Sequence, residues 1–191
     1  MAKTRPPFLP GHYYHFYNRG AHRASIFKKH DNYIFVIRKI KEYSRQFNFV
    51  IIAYCLIPNH YHILMRQAGD VLARLLPQRV FNSYVKAYNQ AFDHSGTLFE
   101  GAYKVDMIER ESHLRHLCRY IHANPVKDGL VQHPADWQYS NYLEWMGQRA
   151  GTLVDREFIQ AYFGDAKMYE EFVQDYLLTR READELDYLQ W

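Results

Sequence analysis

The sequence predicts an α+β protein with a ferredoxin-like, split βαβ sheet, an added helix after the fourth strand, and a helical appendage at the C-terminal end. Three observations predict it. Strand-like runs and 3.6-residue periodicity alternate in the order β-α-β-β-α-β, and a further helix follows. A tight Pro58-Asn59 turn separates the second and third strands. Beyond Gly129 strand patterns stop and short helical ones replace them.

Each element has a local reason. Residues 12–18 (HYYHFYN) are aromatic β formers that stop at Asn18-Arg19-Gly20, a strand followed by a turn. Residues 31–47 place Tyr33, Ile34, Ile37, Ile40 and Tyr43 at helical spacing with basic residues between them. Residues 48–56 (NFVIIAYCL) form a continuous β-branched and aromatic run, expected to be a central strand buried on both faces. Residues 60–66 read as its hairpin partner. A helix is expected over 70–92, with Pro77 interrupting it or marking a restart. Residues 102–109 give the fourth strand. The next helix starts at Glu111 or Ser112, carries Leu114, Leu117, Cys118 and Ile121 on one stripe, and should end near Asn124, before Pro125. Short helices over 137–146, 155–163 and 167–179 follow, with turns at Gly147, Gly151 and Gly164, and an acidic stretch at 182–187 reads as a frayed end.

A chain of 191 residues makes one domain, or one with an appendage; the division is expected at 1–147 and 148–191. No apolar run approaches the ~20 residues that span a bilayer. MAKTRPPFLPG has no apolar segment before its prolines and does not read as a secretory signal, so a cytoplasmic location is expected. Cys55 and Cys118 form no CxxC pair, which excludes a zinc ribbon and leaves two reduced, buried thiols.

Charge is unevenly divided. Residues 1–127 hold 19 Lys and Arg against 8 Asp and Glu, whereas residues 128–191 hold 5 against 13. The basic body favours a polyanionic partner, because each neutralised phosphate releases counterions. Seventeen tyrosines, several beside Arg or Lys, add stacking surfaces for unpaired bases.

Two stretches carry the candidate chemistry. In Pro58-Asn59-His60-Tyr61-His62, the two histidines at i and i+2 of a strand project from one face and can share a metal ion. Leu64 stands where an HxHxD hydrolase would have its acid, which argues against a dinuclear site. In Tyr120-Ile121-His122-Ala123-Asn124-Pro125, Tyr120 and Asn124 share a helix face, with Tyr120 at or beyond the edge of the apolar stripe. Two imidazoles and an amide oxygen, with open positions for phosphate, suit Mg²⁺ or Mn²⁺. A tyrosine hydroxyl beside such an ion points to a nuclease that links itself to DNA. His113 and His116 are candidates for a general base. Arg5, Arg19, Arg23, Lys28, Lys29, Lys104 and Arg119 are candidate DNA contacts.

Over about residues 12–145 the chain resembles the HUH single-tyrosine transposases, most closely their REP-associated branch. The motifs are YHFYNRG (14–20), PNHYHILM (58–65), SGTLFEGAYK (95–104) and YIHANPVKDGLV (120–131), the last being the most specific. The resemblance implies a catalytic domain over 1–147 with the histidine pair on a central strand and the tyrosine on the following helix. It implies that His60 and His62 bind a divalent ion, Mg²⁺ or Mn²⁺, and that Tyr120 is the nucleophile. Asn124 stands where the wider family more often has glutamine as third ligand. Tyr61 is bulkier than the usual aliphatic residue there and is expected to face the core. The implied activity is nicking and strand transfer on single-stranded or hairpin DNA, such as repetitive palindromic elements, through a 5′-phosphotyrosine. Monomer and homodimer are both compatible with it. Two rivals keep the same fold or metal: a non-catalytic single-stranded nucleic-acid-binding module, and a metal nuclease that uses water.

Overall fold

The computed structural model describes residues 5–179; the acidic 182–187 stretch and the end of the expected 148–191 extension lie outside them. Four strands, β1 (Tyr13–Arg19), β2 (Phe49–Ile57), β3 (His60–Gln67) and β4 (Lys104–Ile108), form one antiparallel sheet in the order β2-β3-β1-β4. Helices α1 (His30–Gln46) and α2 (Leu75–Phe92) connect them, and α3 (Glu111–Lys127) follows the last strand. This is the expected ferredoxin-like arrangement, with β3 and β1 at its centre.

Strand alternation separates two cores. Tyr14, Phe16, Tyr61, Ile63 and Met65 face α1 and α2, where the Tyr61 ring stacks on Phe81 at 3.8 Å. His15, Tyr17, His60, His62 and Leu64 occupy the alternate positions, on the face that packs α3. Both faces being covered explains why the strands read as continuous apolar runs.

β2 lies at the edge of the sheet, not at its centre. It is nevertheless buried on both faces, and residues 137–141 pair along its outer side. Leu56 N–H donates to the Tyr139 carbonyl (3.0 Å), and Tyr54 N–H donates to Asn141 Oδ1 (2.8 Å). A bulge leaves Ile52 outside the ladder, and its carbonyl accepts from Asn141 Nδ2 and the Trp145 indole. The edge groups are therefore satisfied, which is why the sequence pattern resembles that of an interior strand.

α2 starts only at Leu75, so Pro77 sits in its first turn, where a missing N–H costs nothing. α3 runs on through Pro125 to Lys127 rather than stopping near Asn124. The bias of a pre-proline residue against helix is overridden by burial: residues 120–125 are all buried, and the Asp128 and Leu130 N–H groups close the last turn on the Asn124 and Pro125 carbonyls. The expected 137–146 helix shrinks to α4 (Tyr142–Trp145), because residues 138–141 turn and bridge to β2 instead, Ser140 pairing with Cys55.

α5 (Arg156–Phe163) and α6 (Ala166–Leu178) are each capped by an aspartate, Asp155 and Asp165, accepting from the N–H three residues on. Their Phe158, Phe163, Tyr169, Val173 and Tyr176 pack in one apolar cluster with Leu117, Cys118 and Ile121 of α3. His122 joins the layers at 0% exposure. Its Nε2–H donates to Asn141 Oδ1 (2.9 Å), so Nδ1 accepts from the Tyr169 hydroxyl (2.6 Å). Burial holds this imidazole neutral, down to about 4.

Candidate active site

The first residues of β3 and the last turns of α3 meet at one end of the sheet. Gly20, at the end of β1, donates its N–H to the Asn59 carbonyl (2.7 Å) in the β2–β3 turn. A Cβ there would lie 2.0 Å from the Ala24 carbonyl oxygen, so only glycine lets the chain fold back so closely. That fold carries His22 and Arg23 at φ of 54° and 59°, a left-handed backbone costing about 1 kcal/mol or more per residue. A cleft of about 260 Å³ results, lined by Arg19, Arg23, Asn59, His60, Tyr120, Asn124, Lys127 and Asp128.

His60 and His62 lie at this end on the α3 face, 7% and 0% exposed, with ring centroids 5.1 Å apart. The Tyr120 ring meets His62 edge to face at 5.6 Å and is itself 6% exposed, so Tyr120 is packed into the core rather than lying at its margin. Burial is the main cause holding both imidazoles below the usual histidine range, most strongly for His62, where His60, His15 and Lys127 add to it. Neutral imidazole is the form that ligates a metal.

His60 stands between two amide oxygens. Its Nδ1 is 2.8 Å from Asn59 Oδ1, and its Nε2 is 2.9 Å from Asn124 Oδ1. A neutral ring has one N–H and can donate to only one of them. The Asp128 carboxylate, 3.9 Å from Nδ1, favours the proton on that side. With the proton there, Nε2 and Asn124 Oδ1 face each other as two lone-pair donors, a pairing relieved by a cation or by turning over the amide. Adjacent ligands at about 2.1 Å in an octahedral shell stand about 3.0 Å apart, so the pair fits Mg²⁺ or Mn²⁺. Among the described residues no cluster of three or more His, Cys, Asp and Glu forms a metal site.

The expected DNA contacts divide by position. Arg19 and Arg23 line the cleft, and Arg19 also holds Glu100 in a bidentate pair (2.5 and 2.8 Å). Lys104, at the start of β4, lies 6.0 Å from the Tyr17 ring centroid. Arg5 lies over Tyr103, Lys28 over Tyr88 and Phe92, and Lys29 over Phe92, none of them lining the cleft. Arg119 is not brought to the cleft. Its guanidinium lies over Phe172 (4.2 Å) and Tyr176 (5.0 Å), donates to His116 Nδ1 and approaches Asp175, which commits it to docking α6. The same contact engages His116, whose ring meets Tyr176 edge to face at 5.2 Å, and burial lowers its pKa to about 4.

Four site residues were not among those expected. Lys127, whose Nζ lies 4.1 Å over the Tyr120 ring centroid, is seven residues beyond it and so on the same helix face. Asp128 and Asn59 lie inside the recognised motifs, where their neighbours drew the attention. His15, whose Nε2 is 3.0 Å from His62 Nδ1, becomes visible only through the pairing of β1 with β3.

The model of the family described as Transposase IS200 like matches residues 9–124, more than half of the chain. The chain belongs to that family. The matched span holds all four strands, His60, His62, Tyr120 and Asn124. A Haemophilus influenzae protein assigned by its name to the REP-associated tyrosine transposases is 29% identical over 117 residues, 53% of this IS200-like chain. The chain spans only 64% of that relative's length. A solved structure of a REP-associated tyrosine transposase bound to a REP hairpin is 21% identical and superposes with a TM-score of 0.61, covering 81% of this chain and 94% of the other. That likeness is one of fold. Among the described residues no helix is long and apolar enough to cross a membrane.

Proposed function

We propose that this IS200-like transposase is a metal-dependent DNA strand transferase that nicks single-stranded or hairpin DNA through Tyr120. Residues 1–147 would form its catalytic unit and 148–191 an extension whose α5 and α6 brace α3. The observation that carries the reading is the convergence of His62 on the Tyr120 ring (5.6 Å) beside the His60–Asn124 donor pair (2.9 Å), all within one chain.

His60, His62 and Asn124 would hold the ion. When bound, a divalent ion supplies Lewis-acid polarisation of a phosphoryl oxygen and offsets charge developing there. Arg19, Arg23 and Lys127 line the same cleft and would hold the DNA backbone with its phosphorus toward Tyr120. The Tyr120 oxygen attacks phosphorus, a phosphotyrosine bond forms at the 5′ side, and the bond to the 3′ oxygen breaks. The phenolic proton is lost, and the departing 3′ oxygen takes up a proton to become a hydroxyl. The broken linkage is conserved as a phosphodiester, so another 3′-hydroxyl can reverse the step and be joined. A hairpin substrate is supported by the family and by the fold shared with the hairpin-bound transposase.

Incubation of hairpin oligonucleotides with Mn²⁺ or with chelator tests the reading. It requires nicking that depends on the ion. Tight binding with no nicking in any divalent ion would make the chain a binding module instead.

A further inference from the structure

We infer that His15 is a positioning residue that fixes the tautomer and orientation of His62, so that the Nε2 edge of His62 serves the metal site; this rests on the metal-binding reading above. Both side chains are 0% exposed, and His15 Nε2 lies 3.0 Å from His62 Nδ1. Two neutral imidazoles at that distance share one proton, and whichever ring gives it determines the other ring's remaining nitrogen. A ligating Nε2 must present a lone pair, so His62 must carry its proton on Nδ1 and donate it to His15 Nε2. His15 then carries its own proton on Nδ1.

The surroundings hold the His15 ring in place. His15 pairs across the sheet with Asp106. Asp106 is held by the Tyr17 hydroxyl (3.2 Å), and Tyr17 stacks on His15 at 4.6 Å with ring planes 19° apart. The His15 and His62 rings are themselves nearly parallel, at 5.2 Å and 16°. His15 therefore has little freedom to turn, and its acceptor stays aimed at His62. Asn59 Oδ1 does for His60 Nδ1 what His15 does for His62. Partners of this kind orient a ligand and raise its basicity.

The test uses the full chain labelled with ¹⁵N-histidine and freed of metal, with the His62 resonances identified by their loss in His62→Asn. Wild type is expected to hold His62 with Nδ1 protonated and Nε2 bare. His15→Leu should move His62 toward the opposite tautomer or a mixture, and His15→Gln, whose amide oxygen can accept, should restore it. A His62 with Nε2 protonated in wild type, or one unchanged in His15→Leu, overturns the inference. In parallel, Mn²⁺ affinity followed by the EPR signal of the free ion should weaken by about 10- to 100-fold in His15→Leu and partly recover in His15→Gln. Equal affinity in all three proteins also overturns it. Absence of Mn²⁺ binding in wild type would defeat the metal site itself, and the tautomer measurement, made without metal, still decides the role of His15.

Discussion

His62 on β3 and Tyr120 on α3 meet edge to face, with ring centroids 5.6 Å apart and planes at 87°. Two motifs far apart in the chain are thus joined in one wall of a cleft, and the contact is made by the rings, not by the tyrosine hydroxyl alone. Removing the hydroxyl should leave the packing intact. Tyr120→Phe is expected to cost no more than about 1 kcal/mol in urea unfolding, the worth of one hydrogen bond, while abolishing nicking. A variant that still nicks at most of the wild-type rate would favour attack by water.

The histidines should matter for chemistry more than for affinity. His60→Ala and His62→Ala are expected to abolish Mn²⁺-dependent nicking while hairpin binding, measured by anisotropy, persists. Normal nicking by either variant would show that the metal is held elsewhere.

Salt dependence separates cleft cations from structural ones. If about six phosphates of single-stranded DNA are neutralised, log affinity should fall with log salt at a slope of roughly −4. Arg23→Ala and Lys127→Ala should each reduce that slope by about 0.7. Arg119→Ala should leave the slope unchanged and lower stability instead, since its guanidinium packs on Phe172 and Tyr176. A reduced slope in Arg119→Ala would return it to the DNA contacts.

Acid should unfold the chain through its buried neutral histidines. Burial depresses His122 to about 4 and His15 to about 3, against ~6.5 in an unfolded chain. The unfolded state therefore takes up protons first as pH falls. The stability is complete above about pH 6.5 and is lost as pH drops toward those folded values. For His122 the loss is on the order of 3 kcal/mol. Urea midpoints between pH 7 and 4 should fall steeply in wild type and less steeply in His122→Gln, which starts lower at pH 7. Parallel curves for the two proteins would contradict this.

Much of the fold is legible because periodicity and burial agree. The His60–Gln67 strand, the α1 stripe and the α5 and α6 boundaries follow from local pattern alone. What was not legible depends on contacts distant in sequence. Residues 48–56 read as an interior strand because residues 137–141 satisfy the outer edge of β2, and no local signal announces that partner. The passage of α3 through Pro125 depends on burial of residues 120–125. In the site, the His60/His62 pair and Tyr120/Asn124 show in their spacing, and Lys127 extends the same helix face by one heptad. His15 does not, because only strand register brings it to His62.

The proposed chemistry requires that Tyr120 form a covalent bond to DNA within this cleft. It is tested most directly by mixing the protein with Mn²⁺ and an end-labelled hairpin oligonucleotide, then denaturing and resolving by mass. Label is expected to travel at protein mass in wild type and not in Tyr120→Phe. Cleaved oligonucleotide without any protein-linked label, or an undiminished adduct in Tyr120→Phe, would contradict it.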